Sequence, residues 1–223
     1  MAKNENAEVA EPTEQLTGTE SFVDRYKLIL VYGSIGIIVL LIGFVGYKKF
    51  IKEPKDLESQ DVYWNAFYDW QNNDTTGLAK VGTDNYLGFE DISSQYAGSP
   101  GGNIATYALA TMAMEDKDFD GALAYLEDCE FEDVMLGTLV IGMKGDCNVE
   151  LGEYETALTF FNEAAERETN DFTSPMYLKK AGLVYEKLGQ PEKAVEAYQK
   201  IKDEFYKSSE ASDIDKYIIR AQN

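Results

Sequence analysis

Twenty consecutive residues without a charge, Leu28 to Tyr47, constrain this chain more than any other feature of its sequence. As a helix with a rise of about 1.5 Å per residue, the run is roughly 30 Å long, which matches the hydrocarbon thickness of a bilayer. A signal peptide has a shorter apolar region and a small-residue cleavage site, whereas Lys48, Lys49 and Lys52 follow this run. A buried core helix is the other alternative, but such helices are rarely apolar all round. We therefore predict one uncleaved transmembrane helix.

Composition divides the chain into three parts. Residues 1–18 are polar with little apolar content, and we expect an acidic, disordered tail. Residues 19–55 form an amphipathic lead-in and the membrane span, and Pro54 is expected to end the long helix. Residues 56–223 form one domain that is large enough for a sizeable core.

The net charge of −20 belongs entirely to residues 56–223, because residues 1–55 hold seven acidic and seven basic side chains. Such a domain repels nucleic acid and anionic lipid headgroups. Its densest acidic patch, Glu115–Asp133, contains nine acidic residues and a single lysine. Two interpretations stay open for this patch: a solvated face that keeps the domain soluble, or a docking surface for a basic partner segment.

The composition argues against catalysis and metal binding. Histidine is absent, and Cys129 and Cys147 are the only cysteines, so a zinc site of four cysteines or of two cysteines and two histidines is impossible. No glycine-rich phosphate-binding motif or nucleophile elbow occurs. We expect no enzyme activity, no cofactor, no metal and no nucleic-acid partner. The two cysteines are either two buried thiols or a disulfide in an oxidising compartment.

Four glycines of the span share one side of the predicted helix, and they are a candidate partner-binding face. At 100° per residue, Gly33, Gly36, Gly43 and Gly46 lie within a face about 140° wide. Small residues allow two helices to approach closely in lipid. The alternative is that glycine is simply common in membrane helices.

The rest of the chain has a helical pattern, and no stretch alternates with period two for long enough to predict a sheet. Segments 57–72 and 81–97 are interpreted as an opening helix pair. Ser99 to Gly102 is expected to break the chain, and Ser212–Ala221 is expected to form a terminal capping helix.

Two segments 37 residues apart repeat one pattern of small and large side chains. The first copy is GDCNVELGEYETALTFFNEA and the second is GLVYEKLGQPEKAVEAYQKI, and a weaker copy begins at Lys117. Gly145 and Gly182 allow close helix contact, and Gly152 and Gly189 end the first helix of each pair. The matching positions of the second helices are Ala157, Phe161, Ala194 and Tyr198.

This pattern resembles the tetratricopeptide repeat, and it implies an all-α chain in which a transmembrane helix precedes an α-solenoid. In that family the first helices line a concave face. The motif positions assign Asp146, Val149, Glu150, Leu183, Glu186 and Lys187 to this face. A mixed acidic and apolar groove would suit extended chains with basic and apolar side chains, although these residues could also simply solvate a curved surface.

The whole plan of tail, span and acidic repeat domain resembles the YfgM-like ancillary subunits of the SecYEG translocon. The sequences Tyr63-Trp64-x-Ala66 and Ile104–Ala110 are similar to helices of that family. The resemblance implies a non-catalytic, single-pass protein of the bacterial inner membrane whose C-terminal domain faces the periplasm. Its implied partners are SecYEG subunits, a PpiD-like membrane-anchored chaperone related to prolyl isomerases, and emerging exported chains.

The flanking charges favour the opposite orientation. Two basic residues, Arg25 and Lys27, precede the span, and four lysines follow it between Lys48 and Lys55. By the positive-inside rule this excess would leave the domain in the cytoplasm. A general assembly scaffold that faces the cytoplasm is therefore the alternative function.

Overall fold

A computed structural model describes residues 18–72 and 77–223 of the chain, so most of the expected tail at 1–18 lies outside the described residues. The chain divides after Pro54 into two compact units. Helix α1 spans Gly18–Tyr47, a π-helical turn spans Lys48–Lys52, and helix α2 spans Glu53–Gln71.

The helix end that we expected at Pro54 is wrong, because Pro54 lies in the first turn of α2. The preceding turn is widened, and the N–H of Glu53 donates to the carbonyl of Lys48. A π turn is a known way for a helix to absorb an irregularity such as a proline, which lacks an N–H and crowds the preceding turn.

Among the described residues, one helical segment is long and apolar enough to cross a membrane. It runs from Arg25 to Gln71, and its most apolar stretch has no buried residues in the structure. The predicted span, residues 28–47, lies within this segment.

The second unit opens differently from the expected helix pair. Helix α2 is followed by α3 (Leu78–Val81), a hairpin of β1 (Gly82–Thr83) and β2 (Tyr86–Leu87), and α4 (Phe89–Gln95). The hairpin is antiparallel, with Gly82 opposite Leu87. Strands of two residues are too short to produce a period-two pattern, which explains why the sequence did not predict them.

The expected break at Ser99 to Gly102 is only partly correct. The chain is interrupted after α4 and Ser99 lies in that interruption, but helix α5 (Pro100–Glu115) begins at the next residue. The Ser99 hydroxyl accepts a hydrogen bond from the N–H of Gly102 at 3.2 Å, and Pro100 occupies the first helical position. The N–H of Gly101 donates to the hydroxyl of Ser59 on α2 at 3.1 Å. A Cβ at Gly101 would collide with the backbone of Ser59, and a Cβ at Gly102 would collide with the carbonyl of Tyr96. These two glycines are therefore packing positions and not breakers.

The remaining elements form the predicted all-α solenoid. Three helical hairpins follow one another, and a short 3-10 turn and a last helix complete them. Their bounds are α5 with α6 (Phe119–Glu127), α7 (Val134–Leu151) with α8 (Tyr154–Glu166), α9 (Thr173–Lys187) with α10 (Pro191–Glu204), the 3-10 turn Glu210–Asp213, and α11 (Ile214–Ala221).

The repeat glycines have the roles that the sequence predicted. A Cβ at Gly145 would overlap the ring of Phe161, and a Cβ at Gly182 would overlap the ring of Tyr198. Gly152 and Gly189 end α7 and α9 with φ angles of 82° and 67°. Because L side chains rarely adopt this left-handed conformation, glycine is required at both helix ends.

Both cysteines are free and buried within one apolar cluster formed by α5, α6 and α7. Burial raises the pKa of the Cys129 thiol to about 12 and that of the Cys147 thiol to about 11. Because only the thiolate reacts, a rise of the thiol pKa from 9 to about 11 lowers the reactive fraction at neutral pH about a hundredfold.

We therefore expect iodoacetamide to label both thiols at least about a hundredfold more slowly in the native protein than in urea at pH 7.5. Mass spectrometry of quenched time points measures the rates. The buried neutral thiols also make the free energy of unfolding depend on pH. Because the pKa of Cys147 is raised in the folded protein, its contribution is complete below the ordinary thiol pKa of 9 and is lost as the pH rises through about 11. Fast native labelling would contradict the buried placement.

Candidate protein-binding surface

Three of the predicted concave residues line one open groove. Asp146, Val149 and Glu150 project from the last two turns of α7 into a groove of about 460 Å³. The other lining residues come from the end of α5, the connection to α6, the start of α6, and α9; they are Met114, Glu115, Lys117, Phe119 and Lys180. The groove therefore lies where the first helices of consecutive hairpins meet, as expected for the concave face of a solenoid.

The α5–α6 connection holds one wall of this groove in a defined conformation. Lys117 adopts a φ of 62°, which is uncommon for a residue other than glycine. The Asp118 carboxylate that follows it accepts the N–H of Gly121 at 3.0 Å and so caps α6. The tight turn leaves Lys117 exposed at the edge of the groove.

An ion pair crosses the floor of the groove. The ammonium of Lys180 donates to both carboxylate oxygens of Asp146 at 2.7 Å. The same ammonium lies 5.6 Å from the ring centre of Tyr177 and 5.7 Å from that of Phe161. Asp146 is thus neutralised within the protein, whereas Glu115 and Glu150 form no ion pair with any residue that the structure describes and supply the negative charge of the groove.

The other three predicted concave residues lie outside this groove. Leu183 is exposed, and the Lys187 ammonium lies 5.9 Å from the ring of Tyr154. Glu186 accepts hydrogen bonds from the Tyr198 hydroxyl at 2.7 Å and from the Arg220 guanidinium at 2.8 and 2.9 Å. Its carboxylate therefore joins α9 to α10 and α11.

Three ion pairs join residues that are 34 positions apart in the sequence. They are Asp146 with Lys180, Lys179 with Asp213, and Glu186 with Arg220. Each pair links the first helix of one hairpin to the element that occupies the equivalent position in the next. The predicted concave charges thus hold consecutive repeats together, and only some remain available to a partner.

We expect Glu186→Gln to lower the free energy of unfolding by about 1–2 kcal/mol at pH 7, since charged hydrogen bonds to Arg220 and Tyr198 are weakened. Burial alone would raise the pKa of Glu186, but the hydrogen bonds from Arg220 and Tyr198 outweigh it and lower that pKa. The contribution is therefore present above the ordinary glutamate pKa of 4.5 and is lost as the pH falls through the lower folded value.

Urea denaturation at pH 7 and near pH 3 measures this difference. Asp215→Asn is the matched control, because Asp215 pairs with Lys202 on a far more exposed surface and its removal should change little. An equal loss for the Glu186 variant at both pH values would contradict the assignment.

The glycines of α1 present an open surface. An added Cβ at Gly33, Gly36, Gly43 or Gly46 would meet no atom within 4 Å. Nothing within the described chain packs against this side, and its role as a partner-binding face stays a prediction.

Of the groove wall formed by Met114, Glu115, Lys117 and Phe119, the last three lie at the start of the acidic patch Glu115–Asp133, for which a docking surface was one of two open interpretations, but the sequence did not place them beside α7. A signal was present, since the weak repeat copy at Lys117-Asp118-Phe119 places a first helix just before it. Within residues 18–72 and 77–223, no group of three histidine, cysteine, aspartate or glutamate side chains could hold a metal ion.

Two of the helical hairpins match models of a known protein family. Residues 140–171 and residues 180–208 each match a model of the tetratricopeptide repeat. This chain contains tetratricopeptide repeats. The first match covers most of α7 and all of α8, and the second covers the later part of α9 and all of α10. No match was found among curated proteins.

Tetratricopeptide repeats serve protein–protein interaction, and proteins built from them are typically non-catalytic scaffolds. Of the residues that line the groove, those on α7 lie within the first match, and Lys180 is the first residue of the second match. The candidate groove therefore lies partly within the matched repeats, and its lining residues Met114, Glu115, Lys117 and Phe119 lie outside both matches.

Proposed function

We propose that this protein is a membrane-anchored, non-catalytic scaffold that acts as a chaperone-like accessory subunit of the Sec protein-export translocon. In this proposal α1 crosses the bacterial inner membrane once, and the repeat domain binds partner proteins and emerging exported chains in the periplasm. The single observation that supports the scaffold role is the groove lined by Asp146, Val149 and Glu150, in a chain whose other unit contains a long apolar helix.

The chemistry of the groove suits an extended polypeptide. Met114, Phe119 and Val149 offer apolar contacts, while Glu115 and Glu150 attract basic side chains. The strong negative charge of the domain adds long-range attraction for basic segments. Such a surface favours chains with alternating basic and apolar side chains over folded acidic proteins.

The resemblance to YfgM-like subunits supports the more specific partners, which are SecYEG subunits and a PpiD-like chaperone. The test is copurification from native membranes in a gentle detergent, read by mass spectrometry. We expect translocon components with the wild-type chain and several-fold less with Glu115→Lys combined with Glu150→Lys. The matched control reverses two exposed charges on the second helices, Glu155→Lys with Glu196→Lys. Absence of every translocon component would reject the export role.

A scaffold that faces the cytoplasm is the second candidate, and the excess of lysines after the span favours it. Protease treatment of spheroplasts separates the two orientations. Digestion of the repeat domain from outside the inner membrane supports the periplasmic orientation, and full protection supports the cytoplasmic one.

The glycine face of α1 gives a further prediction. Gly36→Leu with Gly43→Leu should reduce partner recovery several-fold, because larger side chains keep helix backbones apart in lipid. The control is Ser34→Leu with Val45→Leu on the opposite side of α1. Copurification measures recovery, and circular dichroism checks that the melting of the repeat domain is unchanged. Unchanged recovery would mean that the glycines do not contact a partner.

A further inference from the structure

One side of α2 exposes large apolar side chains and is separate from the groove. Leu57, Trp64 and Tyr68 are 65%, 56% and 66% exposed. They recur at spacings of seven and four residues, so they lie on one side of the helix, and Asp61 lies between them. We call these four residues the outer α2 face.

The opposite side of α2 fixes this face in place. Ser59 and Ala66 are fully buried against the rest of the domain. The Trp64 ring stacks on Tyr63 at 4.7 Å and meets the edge of Phe67 at 5.9 Å. Phe67 and Trp70 continue this aromatic contact to the buried Phe89. The indole is therefore held in position before any partner arrives, and little conformational entropy remains to be lost on binding.

Asp61 is the available charge of this face. The segment from Lys55 to Asn72 contains four acidic residues and one lysine. Glu58 accepts the Tyr96 hydroxyl at 2.9 Å, and Asp69 accepts the Tyr86 hydroxyl. Asp61 is exposed and has no ion-pair partner among the described residues. An unpaired carboxylate thus lies one turn from Leu57 on one side, and one turn from Trp64 and two turns from Tyr68 on the other.

We propose that the outer α2 face docks a segment of another protein that presents an arginine or lysine flanked by apolar side chains. The cation pairs with Asp61 and lies over the ring of Trp64 or Tyr68, while an apolar neighbour covers Leu57. Exposed tryptophan and tyrosine at the centre of a patch are the side chains that most often dominate binding energy.

Charge complementarity selects this occupant over two others. A second copy of the chain would bring a domain of the same strong negative charge, and it would place carboxylate against carboxylate. An anionic lipid surface is disfavoured for the same reason. A basic segment gains from both the local carboxylate and the field of the domain.

The experiment uses the full chain in phosphatidylcholine nanodiscs and a displayed library of random nonapeptides. Selections on wild type and on Trp64→Ala with Tyr68→Ala are compared. We expect peptides enriched only on wild type to carry arginine or lysine next to leucine, isoleucine or phenylalanine. A synthesised representative should bind about tenfold or more weakly to Trp64→Ala and to Asp61→Asn.

Tyr206→Ala is the matched control, because Tyr206 is 68% exposed on a different part of the domain and its loss should leave the peptide affinity unchanged. Trp64→Phe keeps the stacking on Tyr63 and tests whether the fold is retained. The proposal is overturned if enrichment is absent, if it survives in the double variant, or if the selected peptides lack basic residues. A dimer that depends on Trp64 in analytical ultracentrifugation, or quenching of Trp64 by brominated lipid, would also overturn it.

Discussion

Replacing Phe161 by alanine is expected to lower the free energy of unfolding of the repeat domain by about 3–5 kcal/mol. The side chain is 1% exposed and belongs to the apolar cluster that joins α7, α8, α9, α10 and α11. Its ring stacks on Tyr177 with a centroid distance of 6.2 Å and fills the space opposite Gly145. Truncation removes apolar contacts from α7, α8 and α9 together. Urea denaturation followed by far-ultraviolet circular dichroism measures the change.

A second substitution tests the contact between Phe161 and Gly145 directly. In the wild-type chain Gly145→Ala should destabilise the domain by about 1–3 kcal/mol, because the new Cβ overlaps the Phe161 ring. In the Phe161→Ala chain the ring is absent, and the higher helix propensity of alanine should stabilise the domain by up to about 1 kcal/mol.

The sign of the Gly145→Ala effect should therefore reverse between the two backgrounds. Phe172→Ala is the control, because Phe172 is 61% exposed and its truncation should change stability by less than about 0.5 kcal/mol. The same cost for Gly145→Ala in both backgrounds would contradict the close contact.

Removing residues 1–54 is expected to move nearly all of the protein from the alkali-resistant membrane fraction to the supernatant. The deleted unit contains the predicted span, residues 28–47, which belongs to the only helical segment among the described residues that is long and apolar enough to cross a membrane. Carbonate extraction with immunoblotting measures the distribution. Circular dichroism of the soluble product should show the helical content of the repeat domain.

Two point variants of the full chain test membrane integration without removing α1. Ile38→Arg places a charge near the middle of the span, at a cost of about 2.5–3.5 kcal/mol on insertion scales, and should reduce membrane integration. Ile38→Leu is the matched control and should integrate fully. Retention of the truncated domain in the alkali-resistant fraction would contradict the assignment of α1 as the anchor.

The sequence predicted the repeats because their constraints are local. Gly145 and Gly182 are required by one facing ring each, and Gly152 and Gly189 are required by their own backbone conformation. These constraints recur at a fixed period, so they are visible without knowledge of distant contacts. The sequence predicted the helix boundaries at Pro54 and at Ser99 less well, since the same residue types can either end or begin a helix.

Contacts between repeats decide which of the predicted concave residues are available to a partner. Motif position assigned Asp146 and Glu186 to the same face as Val149 and Glu150, but both carboxylates are occupied by Lys180 and Arg220 respectively. The partners lie 34 residues away in each case, and a single motif does not indicate whether such a pair forms. The wall at Met114 and Phe119 became visible only when α5 was placed beside α7.

The sequence by itself determined that an apolar helix precedes an acidic solenoid of helical pairs, because hydrophobic length, period and glycine placement are properties of short segments. Only the tertiary structure decided which charges are paired, that Gly101 packs against α2, and that one side of α2 remains uncovered. Those outcomes depend on which helices meet, and the contacts that decide them join residues far apart in the chain.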